Sequence, residues 1–363
     1  PRLKVSWVGA LAWNTDAQPC DDVRPVALSS GSRGIFDSMG VWPSLAEQAE
    51  AIDNIHISDR GHFGVTRLSS EQEGVEALGY VLENRNIGTG LYQVMSESPD
   101  ISLFCPAELK ALRLDSVSDG QVSVDVIVDG SMQTLTAALL VAADGNNSQV
   151  MKLLNIGSGR KDYQQSALIT NVTPGKKHNN VAYERFTDSG PLAFLPMTEN
   201  RCSVVWTLAP EQADYLYALD DAEFLEQLQQ RFGYRLGRIK KTGKRHIYPL
   251  FLQSAAKMVH DRVAVIGNAA HSVHPVAGQG FNLALRDVAL LAELITEYQR
   301  TGADNGSQSM LQQYEVPRDG DIKRVYRFTG ELVRTCSNAI SPTAHVRSLG
   351  FLLVCLLPDL QHL

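Results

Sequence analysis

The segment that most restricts what this chain can fold into runs from Val263 to Asn282. Val263-Ala264-Val265-Ile266 is a continuous apolar run of strand length, of the kind buried on both faces of a parallel sheet. It leads into Gly267-Asn268-Ala269-Ala270-His271-Ser272-Val273-His274-Pro275-Val276-Ala277-Gly278-Gln279-Gly280-Phe281-Asn282, after which Leu283, Val288, Leu291, Leu294 and Ile295 supply the apolar side of a helix. A strand, a glycine-rich turn and a helix in that order bring free N–H groups and the positive end of a helix dipole to one place. Gly267 lets the chain turn at the strand end, and Gly278 and Gly280 permit close backbone approach, so the loop reads as an anion or cofactor site. Taken alone, it reads equally well as a tight strand-to-helix connection.

The same device recurs upstream. Leu139-Leu140-Val141-Ala142-Ala143-Asp144-Gly145-Asn146-Asn147-Ser148 is a strand ending at a carboxylate and a glycine, although Asp-Gly after a strand usually marks only a turn. Between the two devices, residues 167–250 hold strand-like runs such as 202–208 and a polar helix around 220–232, which reads as a sheet domain inserted into the first. Nearer the start, Leu3-Lys4-Val5-Ser6-Trp7-Val8 predicts a strand, and 33–48, with Met39-Gly40-Val41-Trp42, a helical segment and turn. Ile55, Ile57, Phe63 and Val65 place 53–68 on a half-buried sheet, and Leu91, Val94 and Met95 give 81–95 helical spacing. Val122, Val124, Val126 and Val128 keep a period of two up to the hairpin pair Asp129-Gly130, which predicts a returning strand over 135–143.

At 363 residues and 44% hydrophobic, the chain is long and apolar enough for two interleaved domains. Its 33 Lys+Arg against 40 Asp+Glu give a net charge of -7 with no basic run, which excludes nucleic acid as an expected partner. Cys20, Cys105, Cys202, Cys336 and Cys355 lie far apart without C-x-x-C spacing, which predicts a reducing cytoplasm in place of zinc or disulfides. Cys202, in an apolar run with Val204 and Trp206, reads as packing. His271 and His274 stand three apart without a third ligand spaced nearby, so no metal site is predicted. No stretch reaches the roughly 18 to 20 apolar residues that span a bilayer. The nearest candidate, 349–357, is too short, and no charged segment followed by a long apolar one opens the chain.

In this order and at about this separation, the two devices together resemble the flavoprotein aromatic hydroxylases. The resemblance covers nearly the whole chain. Arg24-Pro25-Val26-Ala27-Leu28-Ser29 is similar to the segment whose arginine approaches the FAD pyrophosphate, and Gly79-Tyr80-Val81-Leu82-Glu83-Asn84-Arg85 to the one lying along the flavin. Glu184-Arg185-Phe186, Gly190-Pro191-Leu192-Ala193-Phe194-Leu195-Pro196 and Tyr248-Pro249-Leu250 resemble substrate-domain segments of the ubiquinone-biosynthesis hydroxylases. Within that branch, the loop after Ile266 most resembles the 2-polyprenyl-6-methoxyphenol hydroxylases.

The resemblance implies an α/β fold in which a Rossmann-like FAD-binding domain (1–50, 82–158 and 255–300) is interleaved with a mixed-sheet substrate domain (51–81 and 159–254), followed by a helical region, 301–363. It implies FAD as cofactor, NAD(P)H as electron donor, and a polyprenyl phenol and O2 as substrates. The FAD site carried over comprises Arg24, Asn84, Asp144, Gly145, Gly267, Asn268, Pro275, Gly278, Gln279, Gly280 and Asn282, the last five beside the isoalloxazine. Because the cofactor does the hard chemistry while the protein positions the ring and excludes water, no catalytic side chain is assigned. Further expectations are accessory proteins of ubiquinone biosynthesis, a homo-oligomer, and peripheral contact with the inner membrane; the run 349–357 reads as the last helix of the core, and alternatively as a segment lying in the membrane interface or packing on a neighbouring subunit.

Three positions depart from the family pattern. Asn268 stands where most relatives place an aspartate on the ribityl chain; it still donates and accepts hydrogen bonds but carries no charge. The family opens with strand, G-x-G-x-x-G and helix, then an acidic residue ends the second strand. The first strand here matches that second one, with Gly9 at the acidic position, so an N-terminal βα unit is expected to be missing. Met151 stands where many relatives keep an arginine. These departures leave open a flavin-free lipid-binding or scaffold subunit, or another reaction on the fold such as isoprenoid reduction; halogenation is disfavoured by the lack of W-x-W-x-I-P.

Overall fold

The computed structural model describes residues 3–11, 24–59, 65–114, 120–273 and 278–337, with side chains as far as 330. Phe63, His274, Pro275 and the apolar run 349–357 lie outside the described residues.

The largest element is a nine-stranded sheet whose main path runs His271–Ser272, His246–Ala255, Ser158–Thr173, Arg201–Leu208, Gly190–Met197, Val181–Thr187, Asn54–Asp59 and Val65–Ser69. It is mixed: Val181–Thr187 runs antiparallel to Gly190–Met197 but parallel to Asn54–Asp59. Alternation along the strands gives it two unlike faces. Leu192, Phe194, Val204, Trp206 and Leu208 are fully buried under the helices Pro210–Ala218 and Asp221–Phe232. Phe194 stacks on Phe232 with ring centroids 3.8 Å apart. On the opposite face Ile57, Ile169, Ala193 and Val205 are only half-buried.

The second body is built on parallel pairs. Leu140–Ala142 pairs with Val263–Val265, and Val5–Val8 with Ile101–Phe104. Val263, Ala264 and Val265 are all 0% exposed, packed under Leu283, Leu291 and Leu294 of the helix Gln279–Thr301 and under Met310, Leu311 and Tyr314 of the helix Gln308–Ser337. A small sheet, Pro25–Ser29, Gly79–Glu83 and Glu50–Ile52, stands between the two bodies: its Ile52 and Val81 pack on Ala182 and Leu195 of the large sheet.

The hairpin forms where the alternation placed it, between Val122–Val128 and Ser131–Ala137, with Asp129 and Gly130 at φ 49° and 77° as a two-residue turn of this hand requires. Three expected boundaries move. The helix expected over 81–95 begins only at Asn84, because Val81 is claimed by backbone pairing with both Ala27 and Glu50. The strand expected over 135–143 breaks after Ala137: Arg262 Nε donates to the Ala138 carbonyl at 2.7 Å, and Leu140 restarts in the parallel sheet. The helix expected from Arg33 starts at Ser30, since the Ser29 hydroxyl accepts from the Ser32 amide at 3.2 Å.

Phe232→Ala is expected to lower the unfolding free energy by about 3–5 kcal/mol, as truncation of a fully buried ring does. Urea unfolding monitored by far-UV circular dichroism checks this, and an unchanged midpoint would contradict the packing described.

Candidate functional site

Both strand-to-loop devices end at one edge of the parallel sheet. Ala142 and Val265 are register partners, and the Ile266 amide donates to the Ala142 carbonyl at 3.0 Å, so the loops after them leave side by side. This is the carboxyl end of the strands, where open α/β sheets bind ligands.

The loop after Ile266 is held from beneath. Gly267 takes φ 59°, a left-handed conformation that favours glycine, and its amide donates to Asp287 Oδ2 at 2.9 Å. The same carboxylate oxygen accepts from His271 Nε2 at 2.6 Å, while Oδ1 accepts from Arg318 Nε at 2.7 Å. Arg318 also pairs with Asp321, which Arg286 reaches at 3.0 Å. Asp287, His271 and Arg318 are 0%, 1% and 5% exposed. Burial acts to raise the Asp287 carboxyl, but the His271 hydrogen bond and charge, Arg318 and the Gly267 amide outweigh it and hold it below the ordinary value.

At its far end the loop is clamped to the small sheet by Asn282. Asn282 Oδ1 accepts from the Ser29 amide at 2.9 Å and the Ser32 hydroxyl at 2.6 Å, and Nδ2 donates to Ala27 O at 2.9 Å and Gly278 O at 3.0 Å. Asn282 thus spends its amide on holding the loop. Gly278, at φ 61°, precedes the helix Gln279–Thr301 without any side-chain cap, and a Cβ there would lie 3.4 Å from Ala27 Cβ. Gly280 is half-buried, and a Cβ there would meet Val273 at 3.5 Å. Asn268 is exposed, and its side chain makes no hydrogen bond with the described residues.

Of the other expected site residues, Arg24 and Asn84 come together: the Asn84 amide donates to Arg24 O at 3.1 Å, and the Arg24 guanidinium lies over the Tyr248 ring at 4.2 Å. Asp144 is exposed, with Oδ2 accepting from the Gln149 and Val150 amides at 2.7 and 3.2 Å, so it caps a short helix. Gly145 beside it takes φ 79°. Met151 is buried in the apolar core.

The helix register held a signal that the sequence reading passed over. Leu283, Asp287 and Leu291 are four apart, so Asp287 is a charge inside an apolar stripe, where only a buried partner satisfies it. Its charged partner Arg318 lies 31 residues away on another helix, beyond any local pattern.

The chain matches the FAD binding domain model over residues 12–329. It belongs to the FAD binding domain family. Ubiquinone hydroxylase UbiL of Rhodospirillum rubrum is 38% identical over 332 residues, 91% of this chain and 75% of the relative. The 3-demethoxyubiquinol 3-hydroxylase of Escherichia coli is 29% identical over 339 residues, 93% of this chain and 84% of that protein. Among solved structures, p-nitrophenol 4-monooxygenase PnpA from Pseudomonas putida superposes with a TM-score of 0.77 at 16% identity, covering 99% of this chain and 89% of that one. The family's α/β fold and FAD cofactor therefore apply to this chain.

The residues present fit a flavin. A left-handed glycine backed by Ala27, a helix N-terminus without a side-chain cap, and an Asn268 amide with no hydrogen bond to the described residues together offer close approach, N–H donors and a side-chain donor.

Asp287→Asn is expected to lower stability by about 3 kcal/mol or more at neutral pH, because it leaves the buried Arg318 with only one of its two carboxylate partners and His271 without its own. A carboxyl held low stabilises the fold above its unfolded value and loses that contribution as pH falls through its folded one. The gap to wild type should therefore narrow in acid below 3.8, which thermal melts across pH will check. Asn268→Asp, by contrast, is expected to leave bound FAD and turnover of the full-length protein unchanged; a large fall in either, read from flavin absorbance and product formation, would show that the uncharged amide is required.

Proposed function

We propose that this chain is an FAD-dependent monooxygenase that uses NAD(P)H and O2 to hydroxylate the ring of a polyprenylated phenol in ubiquinone biosynthesis. One observation carries the reading. The half-covered apolar face of the nine-stranded sheet lies against the same small sheet that seats the Gly278 loop. A flat, apolar, incompletely covered wall beside the cofactor loop suits an electron-rich aromatic ring, and the names of the relatives agree with it.

When bound, FAD supplies electron transfer and oxygen activation. In this reading residues 1–50, 82–158 and 255–300 form the FAD-binding domain, and 51–81 with 159–254 the substrate domain. The Gly267, Gly278 and Gly280 backbone, with Gln279, Asn268 and Pro275, borders the flavin and its ribityl chain; Asn282 keeps the loop on the Ala27 strand; Arg24 and Asn84 approach the cofactor from the small sheet, and Asp144 and Gly145 from the neighbouring strand end. The apolar wall orients the ring and keeps water away from the reacting atoms.

A polyprenyl tail partitions into the bilayer, so the enzyme meets its substrate at the membrane surface, from an accessory protein, or both. Among the described residues no helix is long and apolar enough to cross a membrane. The apolar run at 349–357 is the candidate surface contact, with the inner membrane or with a second copy of the chain as what it meets.

The test is turnover. Full-length protein with FAD, NADH or NADPH, and a polyprenyl phenol in liposomes is expected to give a product carrying one oxygen atom from isotopically labelled O2. A protein that retains no flavin and forms no product would support a scaffold in place of an enzyme.

A further inference from the structure

Glu184 lies in the middle of the half-covered face. The strand Val181–Thr187 is in unbroken register with both neighbours, where Glu184 opposes Ala193 on one side and Ile57 on the other. Strict alternation puts Ala182, Glu184 and Phe186 on one face. Tyr183 turns the other way and makes an edge contact with Phe232 under the helices. Of the three residues at the centre, one is alanine, one isoleucine and one a carboxylate, and among the described residues that carboxylate has no hydrogen bond and no ion pair.

The flavin loop is reached from there by a short chain of contacts. Ala182, one step along the face from Glu184, packs with Val81. Val81 is the direct antiparallel partner of Ala27, so both side chains leave the same side of the small sheet, and Ala27 is the residue on which Gly278 rests. An unpartnered carboxylate on an apolar surface is unfavourable unless something supplies its missing donor. Among the described residues nothing supplies one, and the substrate class proposed above carries a hydroxyl donor on an apolar ring.

We propose that Glu184 is a catalytic residue of this site: its carboxylate accepts a hydrogen bond from the phenol hydroxyl of the substrate and takes its proton as the ring is oxygenated. The assignment rests on the function proposed above. In the step, the phenol O–H bond breaks, its electron pair stays on the ring oxygen and enriches the ring, and the proton ends on Glu184. The ring carbon bonds to one atom of O2 as the O–O bond breaks, the other atom leaves as water with the two electrons drawn from NAD(P)H, and the hydrogen displaced from that carbon leaves to solvent as a proton. Glu184 returns its own proton to the ring oxygen, and the carboxylate is regenerated.

The surroundings suit a base. Burial pushes the Glu184 carboxyl up from 4.5 to about 7, near the range in which a group both ionises and accepts protons effectively. Of the two strands paired with this one, Gly190–Met197 carries no titratable group and Asn54–Asp59 carries two: Asp59, opposite Phe186 on the Glu184 face, and His56, which turns the other way against the Tyr183 ring. Farther strands carry Glu50, Glu83, Arg201, His246 and Tyr248, with Arg324 and Arg327 on the helix Gln308–Ser337. Glu83 pairs with Arg201 at 2.9 Å and Tyr248 lies under Arg24; none of these groups shifts the Glu184 carboxyl, which burial alone raises.

The experiment compares wild type, Glu184→Gln and Glu184→Asp as full-length holoenzymes, each assayed for phenol hydroxylation across pH 5–9 and for bound FAD. Wild-type kcat is expected to rise with pH through a value near 7, because the carboxylate is the active form. Glu184→Gln should lose that rise and about a hundredfold or more in kcat, the low end for a missing general base, with KM and FAD content little changed. Glu184→Asp should restore part of the rate. An unchanged rate and pH profile in Glu184→Gln, or a loss of activity that merely follows a loss of FAD, overturns the proposal. Melting temperatures add a readout independent of turnover. A carboxyl raised in the folded state makes the fold lose stability as pH rises from its unfolded value to its folded one, so Glu184→Gln should melt above wild type at pH 8 and level with it at pH 4. Equal melting at both pH values overturns the raised carboxyl itself. If wild type hydroxylates no phenol while the melts behave as expected, the reaction assigned to the protein fails and the placement of Glu184 stands.

Discussion

Asp287 is the point on which the cofactor loop depends. One fully buried carboxylate orients the first residue of the loop through the Gly267 amide, fixes His271 in its middle, and ties both to Arg318 on the final helix. Such a charge is stable only because every neighbour donates to it, and removing any one donor leaves a buried ion short of partners. Rigidity at this loop has a purpose. A flavin held by backbone N–H groups needs those groups fixed in advance, since a loop that must order on binding spends affinity on its own entropy.

Asn282 does for the far end of the loop what Asp287 does for the near end, and it extends the same rigidity into the small sheet. Through Ala27 and Val81 that sheet links the loop to one face of the nine-stranded sheet. The large sheet is asymmetric for a physical reason: its helix-covered face carries the aromatic core of Phe194, Trp206, Phe224 and Phe232, which stabilises it, and so the other face is free to remain partly uncovered. In the proposed site, a wall of alanine, valine and isoleucine there suits an apolar ring by shape, and the carboxylate at its centre gives it a polar address.

Much of this was legible in the sequence, and the remainder was not for identifiable reasons. The parallel strand Val263–Val265, its loop and its helix were readable because a doubly buried strand is continuous in hydrophobicity and a ligand loop needs glycine. The hairpin at Asp129-Gly130 was readable because strict alternation ending in that pair admits few conformations. The residues 81–83 were read as helix because a five-residue strand beside a helix start carries too little period to separate them, and its pairing partners Ala27 and Glu50 lie far off in sequence. The hydrogen bonds by which Asn282 holds the loop were not legible, because they are made to residues some 250 positions away. The partners of Asp287 and the isolation of Glu184 are likewise tertiary facts, invisible until the strands are in register.

The central claim is that the loop around Gly278 and the half-covered face of the large sheet form one site, the first for the flavin and the second for the phenol. Hydrogen–deuterium exchange on the full-length protein tests it most directly, comparing flavin-free protein, holoenzyme, and holoenzyme with a phenol substrate under anaerobic conditions. The account predicts that FAD slows exchange at 266–282 and at Pro25–Ser29, and that the phenol then slows it further along Val181–Thr187 and Gly190–Met197. Protection by the phenol confined to other strands, or flavin protection that leaves 266–282 unchanged, would contradict it.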